Sequence, residues 1–321
     1  MKIVISSNDD LERIDSFLST RLVQLSRSKI QKLIEEKLIT VNGVFVKKNT
    51  KLVKDDVIKI HKKELISSEL KKLKKWDKPL EIIHQEKDFA IINKPFGIIT
   101  HPTNNNIDKT LVNILLSTFS NELSKHPDPL RPGIVHRLDK DTSGVMIIPF
   151  NEFSHWKIAE QFKDRSVEKN YIALTWGNWK KENGQIKNNL TRNKKNPIKH
   201  QSSLNGKLAE SNYSLIKSGK YFSSLNFYPK TGRTHQIRVH CSEEGFPIVG
   251  DELYGGGTKK INEYLPEVRS LMNENIDSNG HYLHAKSITF YHPVSMKKIT
   301  FEAKPEKRFE KLFNAIKNDK I

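Results

Sequence analysis

Short runs of apolar and β-branched residues recur from about residue 78 onward, and this recurrence constrains the fold more than any other feature of the chain. Each run has the length of a strand, and helical patterns lie between some of the runs. Because strands and helices do not alternate regularly, we expect an α+β domain on a mixed, largely antiparallel sheet. The predicted strands are residues 89–92, 145–150, 171–176, 221–228, 288–291 and 299–303, and the predicted helices are 110–116 and 154–162.

The chain before residue 62 has a different pattern, typical of a small separate module. Apolar residues spaced by three and four positions predict a helix over 11–22, and Ser28 with Gln31 indicates a capping box that starts a second helix. Asn42-Gly43 between two apolar runs predicts a β-hairpin, because both residues tolerate positive φ. We expect a compact α/β module whose basic side chains include Arg27, Lys29, Lys32, Lys47 and Lys48.

Residues 63–77, between these two patterns, are rich in lysine and lack a strong core-forming pattern, as expected of a charged linker. The predicted organisation is a module at 1–62, a linker at 63–77 and a larger domain at 78–321. The formal net charge is +18, with 55 Lys and Arg against 37 Asp and Glu. This excess favours a polyanionic partner, chiefly nucleic acid or an anionic membrane surface.

The single cysteine, Cys241, excludes an intramolecular disulfide framework and is typical of a protein in a reducing compartment. No apolar stretch approaches the ~20 residues that a membrane-spanning helix needs. At the N-terminus acidic residues follow a short apolar run directly, unlike the order in a signal peptide. We therefore expect a cytoplasmic protein with no membrane association.

The polar cluster at residues 136–144 is the strongest candidate for chemistry. It contains His136, Arg137, Asp139 and Thr142 and runs directly into an apolar, β-like segment. Polar side chains in that position lie at the mouth of a sheet, where a rigid strand can orient a catalytic group. A solvated turn is the alternative interpretation.

Three further segments carry side chains suited to the same site. Tyr171 leads into a predicted strand and offers a ring for stacking and a hydroxyl for proton transfer. Thr234 can cap a helix that ends at Gly245, and Arg238 in its first turns can pair with a carboxylate and keep it ionised. Leu283 lies just before a late strand and can line an apolar pocket or belong to the core.

These segments, taken in order, resemble the RluA-type family of pseudouridine synthases. The family's catalytic motif matches residues 136–144, and its other motifs match 169–173, 231–240 and 282–285. The resemblance covers nearly the whole chain, and the region from 257 to 280 is its least matched part. It implies that the larger domain has the pseudouridine synthase fold.

The resemblance also implies roles for the matching residues. In the family the aspartate is essential, the arginine of the third motif pairs with it, and the tyrosine stacks on the base. The target uridine must leave its stack before it can react, and the arginine of the catalytic motif helps to displace it. The expected catalytic residues are therefore Asp139, Tyr171 and Arg238, and the expected substrate-binding residues are Arg137, Leu283, His136 and Thr142.

The early module resembles the alpha-L RNA-binding module at residues 13–18, 25–28, 41–43 and 55–58. The chain has Asp55-Asp56 where the family usually shows Gly-Asp, a mild departure at a turn. This second resemblance implies RNA binding through the basic side chains Arg27, Lys29, Lys32 and Lys47.

Together the two resemblances predict a monomeric RNA pseudouridine synthase that acts on large-subunit ribosomal RNA without a cofactor or metal. Transfer RNA or another RNA is an alternative substrate, and a non-catalytic RNA-binding or ribosome-assembly factor on the same scaffold is an alternative function. Asp139 has three possible actions: attack on the base, attack on the sugar, and removal of the C2′ proton of the sugar. The sequence does not choose among them.

Overall fold

The computed structural model describes residues 2–5, 12–22, 27–61, 73–103, 107–120, 122–126, 128, 130–263, 269–270, 273 and 280–317. The side chains of Lys2, Thr20, Ser28 and Lys29, and most of the predicted linker at 63–77, lie outside that description. The chain forms two compact units. The first unit is Met1–Lys75, Pro102–Asp108 and Lys125–Pro132, and the second is Trp76–His101, Lys109–Ser124 and Gly133–Ile321. In the described part of the chain, no helix has the length and apolarity to cross a membrane.

The first unit contains an antiparallel sheet of four strands, in the order β1-β4-β2-β3, and two helices. Both helices bury apolar side chains in the same core as the strands, so the helices cover the sheet. The predicted hairpin is confirmed, with positive φ at Asn42 (52°) and Gly43 (81°). The elements are β1 (Lys2–Val4), α1 (Ile14–Arg21), α2 (Arg27–Glu35), β2 (Ile39–Val41), β3 (Val44–Phe45) and β4 (Val57–Ile60).

The second helix of this unit does not begin with the predicted capping box. It starts at Arg27, so Ser28 lies within the helix, and Gln31 is engaged elsewhere. The side-chain amide of Gln31 donates to Asp15 Oδ2 at 2.6 Å. Asp15 is fully buried, and a buried carboxylate needs donors more than a helix terminus does. The prediction was wrong because it considered only local partners.

The second unit is built on one large sheet. The predicted strands and helices are confirmed, with shifted ends, while the long pair β9–β11 and the last helix had no prediction. The strands are β5 (Glu81–Gln85), β6 (Phe89–Lys94), β7 (Thr142–Pro149), β8 (Glu168–Trp176), β9 (Asn183–Arg192), β10 (His200–Ser202), β11 (Lys207–Ser218), β12 (Phe222–Pro229), β13 (Leu283–Tyr291) and β14 (Lys298–Glu302). The helices are α3 (Leu111–Thr118), α4 (Glu152–Asp164), α5 (Gln236–Glu243), a 3₁₀ turn at Glu252–Tyr254, α6 (Thr258–Ile261) and α7 (Lys307–Lys317).

The sheet has ten strands in the order β10-β9-β11-β12-β8-β13-β7-β6-β5, with β14 paired to β13 beside this path. The pair β13–β7 is parallel and every other described pair is antiparallel. The expected mixed, largely antiparallel sheet is thus confirmed. All eight residues of β7 are buried, which agrees with its central position.

The parallel pair brings distant parts of the sequence to one point in the sheet. Leu283 pairs with Thr142, and Ala285 pairs with Gly144. At Gly144 (φ 120°) a Cβ atom would lie 2.3 Å from the carbonyl oxygen of Ala285. Only glycine lets the two backbones approach this closely. The polar cluster before β7 therefore lies beside the start of β13.

Candidate active site

A cleft of about 130 Å³ opens in the second unit where these strands meet. Four segments that are far apart in sequence contribute to its wall. Six of the seven residues expected at the site line this cleft, namely Arg137, Asp139, Thr142, Tyr171, Arg238 and Leu283. The structure therefore brings together the motifs that the sequence analysis had combined only by resemblance.

Asp139 lies in the short connection directly before β7. Both backbone polar groups of the preceding residue, Leu138, are hydrogen-bonded to the hydroxyl of buried Thr100. The hydroxyl donates to Leu138 O at 2.7 Å and accepts from Leu138 N at 3.3 Å. The carbonyl of Asp139 accepts from Thr142 N at 3.2 Å. These bonds hold the backbone, so the carboxylate projects into the cleft from a fixed origin.

Arg238 connects Asp139 to a second carboxylate. Its Nη1 donates to Asp139 Oδ2 at 3.1 Å, while its Nε and Nη2 donate to the two oxygens of Asp251 at 2.7 and 2.9 Å. The paired contact with Asp251 fixes the plane of the guanidinium, and Asp251 is 1% exposed. Arg238 thus presents one directed N–H to Asp139 rather than a freely rotating cation.

The ionisation of Asp139 follows from these neighbours. Burial favours the neutral acid, but the positive charge of Arg238, the charge that His235 and His281 carry when protonated, and the Arg238 hydrogen bond lower the pKa of Asp139 below its ordinary value. His235 has a pKa of about 4, mainly because it is buried, and is neutral at pH 7. Arg238 is therefore the group that keeps Asp139 ionised at neutral pH.

Tyr171 and Leu283 line the same cleft as this ion pair. They belong to the neighbouring strands β8 and β13, in which Tyr171 pairs with Ala285 and Leu283 pairs with Ala173. Burial, and then the charge of Asp139, raise the pKa of Tyr171, so its hydroxyl keeps its proton at neutral pH. A neutral phenol and an apolar side chain beside a carboxylate suit a flat, uncharged ring such as a nucleobase.

Arg137, His136 and Thr142 occupy different environments. Arg137 is exposed at the cleft, where its guanidinium is free to reach a bound molecule. The hydroxyl of Thr142 is hydrogen-bonded to His281 Nε2 at 2.8 Å. His136 is outside the cleft lining; its Nε2 accepts from Ile147 N at 3.0 Å, and its ring stacks on Phe162 with 4.5 Å between centroids.

Sequence reasoning overlooked Lys94 beneath the cleft. This lysine is fully buried, and its Nζ donates to Pro95 O, Lys140 O and Thr142 O at 3.0, 3.1 and 2.9 Å. Burial lowers its pKa to about 7, while the charges of Asp141, Asp139 and Glu306 oppose that shift. The three bonds tie the turn that carries Asp139 to the end of β6.

Asp251 was also overlooked, and the start of the neighbouring helix was mispredicted. Asp251 lies outside the family motifs quoted above, and no local pattern links it to Arg238. Thr234 does not cap α5; the residue before the helix is His235, with φ 58° and ψ 19°. Instead, the side-chain oxygen of Gln236 accepts from Thr231 Oγ1 at 2.6 Å and from Arg233 N at 3.0 Å. These two bonds hold the turn that precedes the helix.

The basic residues expected to bind RNA lie in the first unit. Arg27 is half-exposed and pairs with Asp15, with 3.1 Å between Nε and Oδ2. Lys32 is exposed and lies 3.5 Å from Glu36 Oε1, and Lys47 is exposed beyond β3. The side chain of Lys29 lies outside the described residues.

Comparisons with known proteins agree with this geometry. A family model described as RNA pseudouridylate synthase matches residues 88–243, and an S4 domain model matches residues 12–58. The chain is 35% identical over 306 residues to an uncharacterized RNA pseudouridine synthase of Aquifex aeolicus, covering 94% of this chain and 93% of that protein. It is 40% identical over 256 residues to a protein of Borreliella burgdorferi named ribosomal large subunit pseudouridine synthase D, covering 78% of each.

A solved structure supports the fold independently. The human protein named RNA pseudouridylate synthase domain containing 1 superposes with a TM-score of 0.54 at 25% identity, over 71% of this chain and 84% of that chain. The expected family, the expected fold and the N-terminal RNA-binding module are thereby confirmed. The chain belongs to the family of RNA pseudouridine synthases, isomerases that convert uridine in RNA to pseudouridine.

Proposed function

We propose that this protein isomerises uridine in large-subunit ribosomal RNA, with Asp139 as the catalytic carboxylate. The observation that carries the proposal is the ion pair of Asp139 and Arg238 within a cleft that also contains Tyr171 and Leu283. The carboxylate is ionised, held from one side, and next to surfaces that suit a nucleobase. Two relatives named ribosomal large subunit pseudouridine synthase D support the choice of RNA.

The reaction breaks the N1–C1′ bond of uridine, turns the freed uracil, and forms a C5–C1′ bond in its place. The C5 hydrogen leaves as a proton and N1 gains one, so the atoms and charge of substrate and product balance. Asp139 takes part through one of the three actions left open above. Tyr171 provides the stacking surface and, from its hydroxyl, a group that assists removal of the C5 proton. Leu283 shapes the pocket around the base while it turns.

The remaining predicted residues assist binding. Arg137, exposed at the cleft mouth, is suited to fill the gap that the displaced nucleotide leaves, because its planar cation can stack and bind phosphate. Thr142 lines the cleft, whereas His136 supports the strand that follows Asp139. Arg27, Lys29, Lys32 and Lys47 are proposed to bind RNA phosphates.

The proposed organisation retains a module at 1–62, a linker at 63–77 and a catalytic domain at 78–321. The protein is proposed to act as a monomer. Ribosomal RNA as the substrate implies action in the cytoplasm.

Replacement of Asp139 tests the proposal directly. Purified Asp139→Asn, which keeps the shape of the side chain but not its charge, should lower the isomerisation rate on ribosomal RNA by roughly 10³-fold or more. Asp164→Asn, an exposed aspartate at the end of α4, is the control and should retain the rate. Full activity of Asp139→Asn would contradict the catalytic role.

The choice of RNA needs a separate measurement. Pseudouridines mapped across total RNA, with and without the gene, should differ at sites in large-subunit ribosomal RNA. Loss of sites only in transfer RNA would replace the ribosomal assignment. Loss of none, together with an inactive purified protein, would favour a non-catalytic RNA-binding or assembly factor.

A further inference from the structure

We propose that His235 is a positioning residue for Asp139: with Arg238 it holds one carboxylate oxygen, Oδ2, and leaves Oδ1 as the oxygen that reacts. The proposal rests on the proposed function of Asp139. His235 belongs to the motif that also contains Arg238, but the function described so far gives it no role.

Both donors approach the same oxygen of Asp139. Arg238 Nη1 is 3.1 Å from Oδ2, and His235 Nε2 is 3.7 Å from the same atom. Within the described residues, no hydrogen bond or ion pair is formed by Oδ1. A carboxylate that is held through one oxygen keeps its plane while the other oxygen remains available to a substrate.

The tautomer of His235 is assigned from its contact with Tyr254. The Tyr254 hydroxyl accepts from the backbone N–H of His200 at 2.8 Å and lies 2.9 Å from His235 Nδ1. The bond from His200 leaves the hydroxyl hydrogen available to Nδ1, and we assign the contact as Tyr254 Oη–H donating to His235 Nδ1. A neutral imidazole that accepts at Nδ1 has its proton on Nε2, and the Nε2–H is then directed at Asp139.

The surroundings of His235 keep it neutral. Its side chain is 12% exposed. Burial, Arg238 and His200 lower its pKa, Asp139 and Asp251 raise it, and the result is about 4. Tyr254 and His281 face the same ring or the same carboxylate, and both are neutral at pH 7 because burial raises the pKa of Tyr254 to about 12 and lowers that of His281 to about 3. His235 therefore donates a hydrogen bond at pH 7 without adding a charge.

The backbone of His235 shows that this position is constrained. With φ 58° and ψ 19° it is left-handed, a conformation that residues other than glycine rarely adopt, and the residue makes no side-chain cap for α5. A right-handed backbone would carry the ring away from Tyr254. The distance of 3.7 Å is longer than a hydrogen bond, and a movement of less than one ångström would form it.

Two substitutions at His235 separate positioning from packing. His235→Asn tolerates the left-handed backbone but is too short to reach Asp139, whereas the longer amide of His235→Gln can place an N–H near the position of Nε2. We expect His235→Asn to lower the single-turnover rate on ribosomal RNA by about 30-fold and to change the Kd for RNA by less than about threefold. His235→Gln should recover the rate to within about fivefold of the unsubstituted protein.

Tyr254→Phe tests the hydrogen-bond chain while it keeps the buried ring. Alone it should lower the rate by about fivefold, and in the His235→Asn background it should have no further effect, since its partner is already absent. His84→Asn, remote from the cleft, is the control for loss of a histidine and should retain the rate. Equal losses for His235→Asn and His235→Gln, or additive loss in the double variant, would overturn the proposal.

The outcome is distinguishable from failure of the proposed function. An unsubstituted protein that forms no pseudouridine, or an active Asp139→Asn, would refute the catalytic assignment itself. An active unsubstituted protein with an inactive Asp139→Asn and a fully active His235→Asn would refute only the role of His235.

Discussion

At the scale of single residues, the candidate site depends on a series of ion-paired side chains, the last of which is buried in the interior. Asp139 is held by Arg238, and Arg238 is held by Asp251, which also accepts from Tyr254 N at 3.2 Å. Asp139 is the accessible end of this series, with a side chain 19% exposed. The position of the Asp139 carboxylate therefore depends on a second carboxylate, Asp251, which does not line the cleft.

Removal of Asp251 should affect both stability and rate. Asp251→Ala leaves Nε and Nη2 of buried Arg238 without acceptors, and breaking a buried pair in this way costs roughly 3 kcal/mol of unfolding free energy. The released guanidinium can turn toward both oxygens of Asp139, so the isomerisation rate should fall by about 10²-fold. Urea unfolding and single-turnover kinetics measure the two effects.

Tryptophan fluorescence suits the unfolding measurement, because the four tryptophans, Trp76, Trp156, Trp176 and Trp179, all belong to the second unit. Glu252→Gln is the control: it changes the neighbouring acidic residue, which is exposed and bonded to Thr258. If Asp251→Ala had the same stability and rate as the unsubstituted protein, the position of Arg238 would not depend on Asp251.

At the scale of elements, the contact of β7 with β13 sets the spacing within the site. Gly144→Ala would force a Cβ into the backbone of Ala285, with 2.3 Å to O and 2.6 Å to N. Since backbone atoms cannot move aside as a flexible side chain can, we expect a loss of roughly 4 kcal/mol or more of unfolding free energy. Folded protein that remains should be inactive, because Leu283 would be displaced from Thr142.

Gly245→Ala is the matched control for this change. Gly245 has φ 85° and no atom within 4 Å of a Cβ, so the variant has only the cost of a left-handed alanine, about 1 kcal/mol. Urea unfolding followed by tryptophan fluorescence compares the two variants. Equal losses would show that the approach of β13 to β7 is not the source of the effect.

Elements formed by local signals were predictable from the sequence. The hairpin at Asn42-Gly43 and the strands 89–92 and 145–150 appear where their patterns indicated. The strands β9 and β11 were not foreseen, because their burial follows from pairing with each other and with β12 rather than from an apolar run. Their sequences are polar on the exposed face and only sparsely apolar on the other.

Of the candidate site, only the residues within the family motifs were predictable from the sequence. Asp139, Tyr171, Arg238 and Leu283 were combined through the resemblance, and the structure brings them to one cleft. Lys94 was not foreseen, because a lysine at the end of an apolar strand usually points to solvent and nothing local shows that it binds three carbonyls.

At the scale of the whole molecule, the two units depend on different kinds of charge pairing. In the second unit Arg238 and Asp251 are both buried. In the first unit Asp15 is buried, but Arg13 and Arg27, which bind it, are half-exposed. Burial opposes ionisation of Asp15, but the hydrogen bonds from Arg27, Arg13 and Gln31 and the charge of Arg27 lower its pKa well below its ordinary value. The bonds of Asp15 with Arg27 and Gln31 link α1 to α2.

The pH dependence of the first unit follows from that shift. The pKa of Asp15 is lower in the folded chain than in the unfolded chain, so ionised Asp15 stabilises the folded state. This contribution to the free energy of unfolding is complete above about pH 4 and is lost as the pH falls toward the folded-state pKa. Protection of the α1 and α2 amides from hydrogen exchange, relative to the unfolded chain at the same pH, should therefore fall below pH 4. Asp15→Asn should lower this protection at neutral pH, with a loss of about 2 kcal/mol of local stability.

Asp55→Asn is the control in the same unit, because Asp55 is exposed and its left-handed backbone suits asparagine equally well. It should leave the exchange of both helices unchanged. Protection that is equal at pH 3 and pH 7 in the unsubstituted protein would contradict this role of Asp15.

The parallel pair of β7 and β13 also has a consequence for the order in which the enzyme matures. The turn with Asp139 is synthesised well before Leu283 and the strand that completes the cleft. A nascent chain emerges from its N-terminus, so the RNA-binding module can fold while the cleft still lacks a wall. Pairing of strands so distant in sequence is slow, and the cleft is therefore completed only after β13 has been synthesised and has paired with β7.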